Sequence, residues 1–598
     1  MSSPLRRVGV VAACGAAALL TSAAPAGAAG TIQPLRKLGT VNVREAAANA
    51  KPAPYRPSLR NSPAQLTFAR FEARRHPEEA GQEGIAPAAA ALAPPTVPGL
   101  PITSNEVQRG WEGLDIRDTV FSQGFELEPP DQGLCGGTVD GTTFLWEETN
   151  LALALYDTSG SQFTPPALGL NELYGVPPAV DFENEQPEFG PFLSDPKCYF
   201  DTQTGRWYHT TLEIDVDPDT GDFTGGAHTL IAASTSRDPL GPYNIFSIDE
   251  SHANCVLCIG DQPLLGADAN ALVVSTATYD LAPPEGSPGF FGPQIYAIDK
   301  RALSNGTADT IVHFEVGVQK TATLQPATTP SGRFETAQLG TEYLMGAFDC
   351  EIPDCSVDPD SLENTIQLWG LSRTFTLRTA NPTLRLFLKT LDSQVYGQPF
   401  PQSQKDGVRP LGESHRAPNP EIEANDARMN QVVYAGGRLW GAVNTRVAPG
   451  DRDGIAWFQV DPQILSTQVK GVIRKQGYVA ANRDHTFLSF PSIGVNDRGR
   501  GVIAYSFMGD DFFPSAGYTT IDRNRLRSGV TIARNGFKPE DGFTCYEAEG
   551  FGPACRWGDY SASFALPNGE VWSAAEFIGD NARTTFANWS TFVWPLRP

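Results

Sequence analysis

Residues 195–213, DPKCYFDTQTGRWYHTTLE, decide the fold. They combine a polar opening residue, a short strand, a turn containing Gly, and a second strand with an aromatic pair. The unit recurs seven times after residue 110, and its copies open at Asp131, Asp195, Asp261, Glu335, Arg428, Ser492 and Asp559. Because a repeat of this length with strand periodicity is typical of a four-stranded blade, we expect an all-β protein, a single seven-bladed β-propeller.

The spacing of the units predicts how the ring is completed. Successive units start 64, 66, 74, 93, 64 and 67 residues apart, and the longest interval contains 398–425, which we interpret as an inserted loop. We expect the C-terminal strand, 589–595, to pair with a strand from 111–125 and so close the ring. A tandem of β-sandwiches is the alternative, and the lack of linkers between units disfavours it.

The composition excludes several classes of protein. Of the 598 residues, 40% are hydrophobic and 19% charged, and 58 Gly and 49 Pro suit short strands joined by turns. A net charge of −23 argues against binding to nucleic acid or to an anionic membrane. No apolar run after the N-terminus is long enough to span a bilayer, so we expect no membrane span. We expect a monomer.

The N-terminus is typical of a secretory signal peptide. Arg6 and Arg7 precede an apolar stretch at 8–20, and the small residues 26–28 form a cleavage site. We therefore predict a secreted, extracellular protein. The residues before Cys14 also resemble a lipobox, so lipid attachment at this cysteine is an alternative that the sequence leaves open.

The charge distribution divides the chain into three parts. Residues 1–80 hold 11 Lys and Arg against 4 Asp and Glu, so the remaining sequence carries nearly all of the acidity. We predict a signal peptide over 1–28, a flexible Ala/Pro-rich region and linker over 29–109, and the propeller over 110–598.

Eight cysteines remain besides Cys14, and an even number in an exported chain predicts disulfides. Close spacing predicts three short loops, and the remaining two cysteines form a fourth pair: Cys350–Cys355, Cys545–Cys555, Cys255–Cys258 and Cys135–Cys198. The Cys-x-x-Cys at 255–258 would also suit a metal or redox site. A disulfide is favoured there because no second pair lies at zinc-site spacing.

The units resemble those of secreted bacterial propellers in the sialidase-like and related repeat families. The segments SDPKCYFDTQTGRWYHT from Ser194 and STSRDPLGPYNIF from Ser234 are similar to blade elements of glycoside hydrolases that act on furanosides. The motifs RWGDYS from Arg556 and DPKCYFD from Asp195 resemble exported propellers of unassigned activity. The resemblance implies a propeller over about 110–598 and gives Asp195 a counterpart in the furanosidase Asp-Pro motif.

The opening residues of the units form the candidate site, because the inner strands of a propeller converge on its channel. We assign candidate catalytic roles to Asp131, Asp195 and Asp261. The candidate binding residues are Glu335, Arg428 and Asp559. Carboxylates facing one channel repel each other, which raises some of their pKa values.

Two classes of function follow from this ring. The first, which we predict, is an extracellular binding or interaction module that recognises a glycan or a cell-surface ligand at the channel mouth without turnover, and the second is its alternative. The second is a glycoside hydrolase, since such enzymes need one carboxylic acid and one carboxylate base or nucleophile. We predict no cofactor or metal, although the acidic turn at 215–222 leaves calcium open as an alternative.

Overall fold

The computed structural model describes residues 27–56, 92–104, 106–181, 187–252, 255–283, 289–317, 321, 323–348, 362–523, 525–552, 554–580 and 588–598. The protein is all-β, and its strands form a β-propeller, as predicted. The predicted signal peptide cleavage site and Cys14 lie largely or wholly outside the described residues.

Six sheets of four or more strands follow one another around the ring. Sheet 1 contains Gly133–Val139, Thr142–Thr149, Ala152–Tyr156 and Leu168–Gly169. Sheet 2 contains Phe192–Asp201, Arg206–Val216, Phe223–Ser234, Pro242–Asp249 and, at its outer edge, Arg36–Asn42. Sheet 3 contains Cys258–Ala267, Ala271–Asp280, Phe290–Asp299, Thr310–Glu315 and, at its outer edge, Thr31–Pro34.

The remaining three sheets complete the ring. Sheet 4 contains Gln325–Pro326, Thr341–Gly346, Leu362–Ser372 and Arg385–Gly397. Sheet 5 contains Val432–Ala435, Arg438–Val447, Arg452–Ile464, Val469–Val479, Thr486–Val495, Arg500–Gly509, Phe512–Asp522, Arg525–Leu526, Val530–Arg534 and Ile102–Ser104. Sheet 6 contains Ala562–Ala565, Val571–Ile578, Trp589–Leu596 and Trp111–Asp115.

Helices and small sheets occupy the connections. The described α-helices are Val43–Asn49, Ile116–Gln123, Leu170–Tyr174, Lys300–Asn305 and Pro410–His415, and short 3-10 turns span Ala337–Leu339, Thr374–Arg378, Phe543–Cys545 and Glu547–Glu549. Two-stranded sheets pair Val180–Asp181 with Glu188–Phe189 and Glu421–Ile422 with Ala554–Cys555. Within the described part of the chain, every helix is too short or too polar to cross a membrane.

Two-residue turns set the register of the inner hairpins. Asp140 and Gly141 join the first two strands of sheet 1 with φ angles of 49° and 87°. Gly436 and Gly437 join the first two strands of sheet 5 with φ angles of 59° and 76°. Positive φ at both positions defines a type I′ turn, whose twist matches that of the paired strands.

The ring closes between the two ends of the propeller region. The inner strands of neighbouring sheets contact each other around the ring, including those of sheets 6 and 1. The C-terminal strand Trp589–Leu596 pairs antiparallel with Trp111–Asp115, so the predicted closure is confirmed. Closing the ring protects the sheet edges that an open array would leave exposed.

The predicted number of separate blades is wrong. Five sheets form separate blades, whereas the units that open at Arg428 and Ser492 share the ten-stranded sheet 5. Two antiparallel meanders meet in that sheet through one parallel pair, Arg452 with Thr486. The 64-residue spacing of these units contains no signal for this pairing, because it depends on how two strands approach after folding.

The N-terminal region is not simply a flexible linker. Residues 28–56 and 92–115, here called the N-terminal belt, pair with strands or bridge residues in five sheets. Along the chain its partners are Leu386 of sheet 4, Thr310–His313 of sheet 3, 242–247 of sheet 2, Ala448 and Ala481 just beyond two strands of sheet 5, 530–532 of sheet 5, and 590–593 of sheet 6. The predicted flexible region over 29–109 is therefore wrong for 31–34, 36–42 and 102–104, because these strands pair with outer strands of sheets 3, 2 and 5.

Three of the four predicted disulfides are confirmed. The structure contains Cys135–Cys198, Cys255–Cys258 and Cys545–Cys555. The first joins the inner strands of sheets 1 and 2. The predicted pair Cys350–Cys355 lies outside the described residues.

Candidate functional site

Four of the six predicted site residues lie together at one end of the channel. Asp131, Asp195, Asp261 and Asp559, here called the acid cluster, come from the openings of sheets 1, 2, 3 and 6. These residues are only 5, 3, 2 and 9% exposed, respectively. The fold therefore brings together carboxylates that lie up to 428 positions apart in the sequence.

A β-bulge positions Asp195. The register of its strand with the next shifts across Asp195 and Pro196, and Asp195 has a φ of 54°. Asp tolerates this left-handed conformation better than most residues. Pro196 lacks an N–H, so no donor is lost where the ladder is interrupted. Gln262 and Pro263 repeat the device in sheet 3, with a φ of 50° at Gln262.

Hydrogen bonds hold Asp131 and Asp559 in place. Asp131 accepts one hydrogen bond from the backbone amide of Asp559, at 2.7 Å, and another from Nδ2 of Asn150, at 2.5 Å. Asp559 accepts hydrogen bonds from Nε2 of Gln262, at 3.0 Å, and Nδ2 of Asn425, at 2.7 Å. Burial, followed by the charge of Asp559, raises the pKa of Asp131 to about 7.

The carboxyl group of Asp195 is held differently. Its backbone amide donates to Oδ1 of Asn150 at 2.8 Å, but its carboxylate accepts no hydrogen bond from any described residue. Burial raises its pKa well above the usual value, and the charges of Asp261 and Asp131 raise it further. Asp195 therefore retains its proton at a pH where an exposed aspartate is ionised.

Lys197 lies beside the cluster and was not predicted. Its amine lies over the ring of Tyr560, and it makes no hydrogen bond or ion pair with any residue that the structure describes. Burial lowers the pKa of Lys197 to about 7, against the opposing effect of Asp195. Burial also raises the pKa of Tyr560, and Asp195 adds to that shift. The pKa values of Lys197 and Asp131 therefore both lie at about 7.

The central channel ends at this cluster. Its walls include Gln132, Lys197, Thr329, Asn430 and Ser561, and the space between them that is open to water measures about 70 Å³. Gln132 and Ser561 follow Asp131 and Tyr560 directly in the sequence. The lining extends to Phe200 and Pro567, near the ends of the inner strands of sheets 2 and 6.

Two long connections cover the same end of the ring. Residues 398–425 and 535–558, here called the cap, pair with each other through Glu421–Ile422 and Ala554–Cys555. Apolar cap residues pack against Phe487 and Phe490 at the opening of a sheet 5 strand. Asn425 of the cap also donates a hydrogen bond to Asp559, so the cap lies against the acid cluster.

Glu335 and Arg428 do not join the cluster. The inner strand of sheet 4 is Gln325–Pro326, which precedes Glu335, so this residue lies beyond the strand that it was predicted to open. Its carboxylate accepts from the amide of Ala337 at 2.8 Å. The buried guanidinium of Arg428 binds Asp426 through two 2.9 Å hydrogen bonds. A partner two residues away thus replaces the predicted contact across the channel.

Gln262 and Asn150 belong to the site and were not predicted, although a repeat signal identifies Gln262. Aligning the units on Asp195-Pro196 and Gln262-Pro263 makes Gln262, rather than Asp261, the counterpart of Asp195. Gln262 indeed binds Asp559. Asn150, which bridges Asp131 and Asp195, lies in a turn and carries no repeat signal.

The acidic turn that was left open as a calcium site uses its side chains for other contacts. Asp217 accepts from the backbone amides of Asp219 and Thr220, at 2.9 and 3.0 Å, as in an ordinary polar turn. Asp215 instead lies near Nδ1 of His228, at 3.9 Å. Calcium binding here therefore stays an untested alternative.

Comparison with solved structures finds propellers of low similarity. A GH43 β-1,3-galactosidase is 12% identical, with a TM-score of 0.28 over 62% of this chain and 98% of that one. A Trypanosoma rangeli sialidase is 10% identical, with a TM-score of 0.30 over 69% and 57%. An exo-β-1,3-galactanase from Phanerochaete chrysosporium is 10% identical, with a TM-score of 0.27 over 70% and 80%. No protein-family model and no curated protein sequence matches the chain.

Proposed function

We propose that the protein is a secreted glycoside hydrolase whose acid cluster cleaves a neutral or acidic glycan. The observation that carries this proposal is the state of Asp195, a buried carboxyl without a hydrogen bond whose pKa is raised well above the usual value. A carboxyl that keeps its proton near neutral pH can donate it to the leaving oxygen of a glycosidic bond. Asp261, the neighbour whose charge acts most strongly on Asp195, is the candidate base or nucleophile.

The remaining residues have supporting roles in this proposal. Asn150 is a positioning residue, because its side chain holds both the amide of Asp195 and the carboxylate of Asp131. Lys197 stabilises negative charge that develops in the cluster. Because all four acids are nearly buried, substrate binding requires the cap to move. The three disulfides are compatible with secretion, which fractionation of a culture producing the full-length chain would test.

The proposal is tested by turnover. The purified protein is assayed on aryl glycosides of furanoses and pyranoses and on plant and cell-wall polysaccharides, with release of sugar as the measurement. Asp195→Asn is expected to lower kcat at least 100-fold, the usual effect of losing a general acid. Asp219→Asn, which changes an exposed acid in a surface turn, is the matched control. Wild-type turnover by Asp195→Asn contradicts the proposal.

A binding module without turnover is the second candidate. It is favoured by the hydrogen bonds that Asp131 and Asp559 already make, since such acids are held as structural groups. A glycan array separates the two candidates. Retention of a glycan by wild type and by Asp195→Asn, with no sugar released over a day, supports the binding module.

A further inference from the structure

The channel walls contain buried polar atoms that have no partner. Both amide atoms of Gln132, Oγ1 of Thr329, Oδ1 of Asn430 and Oγ of Ser561 form no hydrogen bond with any described residue. Gln132 is completely buried, and Thr329 and Ser561 are 4 and 6% exposed. Buried polar groups in proteins are nearly always paired, so these atoms indicate a hydrogen-bonding occupant of the channel.

The chemistry of these atoms restricts the occupant. The amide nitrogen of Gln132 only donates and its oxygen only accepts, whereas the hydroxyls of Thr329 and Ser561 do both. Nδ2 of Asn430 is held by the carbonyl of Asp559 at 3.0 Å, which leaves Oδ1 of Asn430 as an acceptor. An anion would leave these acceptors unpaired, and a metal ion would leave the donors unpaired. Hydroxyl groups satisfy both kinds of atom.

The size of the space distinguishes water from a sugar. The cavity measures about 70 Å³. A site that holds one benzene ring measures about 150 Å³, whereas one water needs about 10–15 Å³ of such space. The space is therefore too small for a sugar ring and has room for several waters.

We propose that the central channel holds a file of bound waters that connects the solvent at its outer mouth with the acid cluster. The file ends at Lys197, whose amine borders both the channel and Asp195. While the cap covers the cluster, this is the route by which water and protons reach the acids. The inference rests on the proposed function for its role, since hydrolysis consumes one water per turnover and Asp195 must regain its proton. The water file itself does not depend on that activity.

The test blocks the channel with a larger apolar side chain. Thr329→Leu places a bulkier group in the wall and removes no protein hydrogen bond of the hydroxyl, since Oγ1 has none with described residues. Ser561→Leu is a second block from another sheet. Thr158→Leu changes an exposed threonine outside the channel and is the matched control. Thermal unfolding first shows which variants are folded.

Two measurements are independent of turnover. A crystal structure at high resolution should place waters within hydrogen-bond distance of Gln132, Thr329, Asn430 and Ser561. Oxygen-17 magnetic relaxation dispersion should count at least two fewer long-lived waters in a folded blocked variant than in the control. A wild-type channel without ordered water, an organic molecule in it, or an unchanged count in both blocked variants overturns the water file.

Turnover then tests the role of the file. With a hydrolysed substrate, the blocked variants should lose at least tenfold in kcat with KM within twofold of the control. Loss of the waters with an unchanged kcat overturns the proposed route. If the wild type has no hydrolase activity but contains the waters, the proposed function fails while the water file stands.

Discussion

Replacing Lys197 by Met should stabilise the protein at slightly acidic pH. The amine makes no hydrogen bond or ion pair among the described residues, and burial lowers its pKa from 10.5 to about 7. This difference of about 3.5 pH units corresponds to about 5 kcal/mol, at about 1.4 kcal/mol per unit, for keeping the amine charged in the fold. Because the amine borders the channel, where water reduces that penalty, we expect about half of it, or 2–3 kcal/mol.

The stability gained by Lys197→Met depends on pH. Folding lowers the pKa of Lys197 from 10.5 to about 7. The stability that the neutral amine gives is therefore fully present above pH 10.5 and is lost as the pH falls through about 7. The advantage of Lys197→Met is therefore full at pH 6 and decreases as the pH rises.

Urea unfolding, followed by tryptophan fluorescence at pH 6.0 and 8.5, measures this effect. Lys389→Met, at an exposed position in sheet 4, is the matched control and should stay within about 0.5 kcal/mol of wild type. A Lys197→Met variant that is less stable than wild type at pH 6.0 would refute the reasoning, because the charged amine would then make a favourable interaction in the fold.

Four further outcomes are expected. The carboxyl carbon of Asp131 should titrate near pH 7 by NMR, because burial and the charge of Asp559 raise its pKa to about 7; a midpoint near 4 would contradict the cluster geometry. Replacing Cys545 and Cys555 by Ser should lower the free energy of unfolding by about 2–3 kcal/mol, because the disulfide closes a ten-residue loop. An unchanged free energy in urea unfolding would exclude the disulfide. Deleting 589–598 should abolish cooperative unfolding in calorimetry, since this strand lies between two others in sheet 6. Deleting 1–42 should lower Tm and cause aggregation that size-exclusion chromatography detects, because it exposes the outer edges of sheets 2 and 3. A deletion variant that stays monomeric with an unchanged Tm would contradict the stabilising role of the belt.

Most of the architecture was accessible from the sequence because local signals repeat. The strand–turn–strand unit, the closing strand and three disulfides depend on spacing and on side-chain patterns within each unit. The convergence of Asp131, Asp195 and Asp559 followed from equivalent positions in the ring. Equivalent positions predict a site residue only where the repeated units are aligned correctly. The alignment was wrong at Glu335, because the inner strand of sheet 4 begins ten residues earlier, at Gln325.

Other features depend on contacts between segments that carry no shared pattern. Arg428 binds Asp426 because a nearby carboxylate is available after the connection folds. The joined meanders of sheet 5 meet at a single pair of residues. The Ala/Pro-rich composition of the N-terminal region is typical of linkers, and its strands form only because the outer edges of finished sheets offer partners.

The N-terminal belt has a consequence for the time course of biosynthesis. Trp111 pairs with Val593, so a strand made early must wait for one made 482 residues later. At 5–20 residues per second, the ribosome needs roughly 25–100 s to add that length of chain. During this delay the early strands are unpaired edges that can associate with other nascent chains. A chain stalled before residue 589 is therefore expected to aggregate, and the complete chain to fold slowly and only after its last strand has emerged.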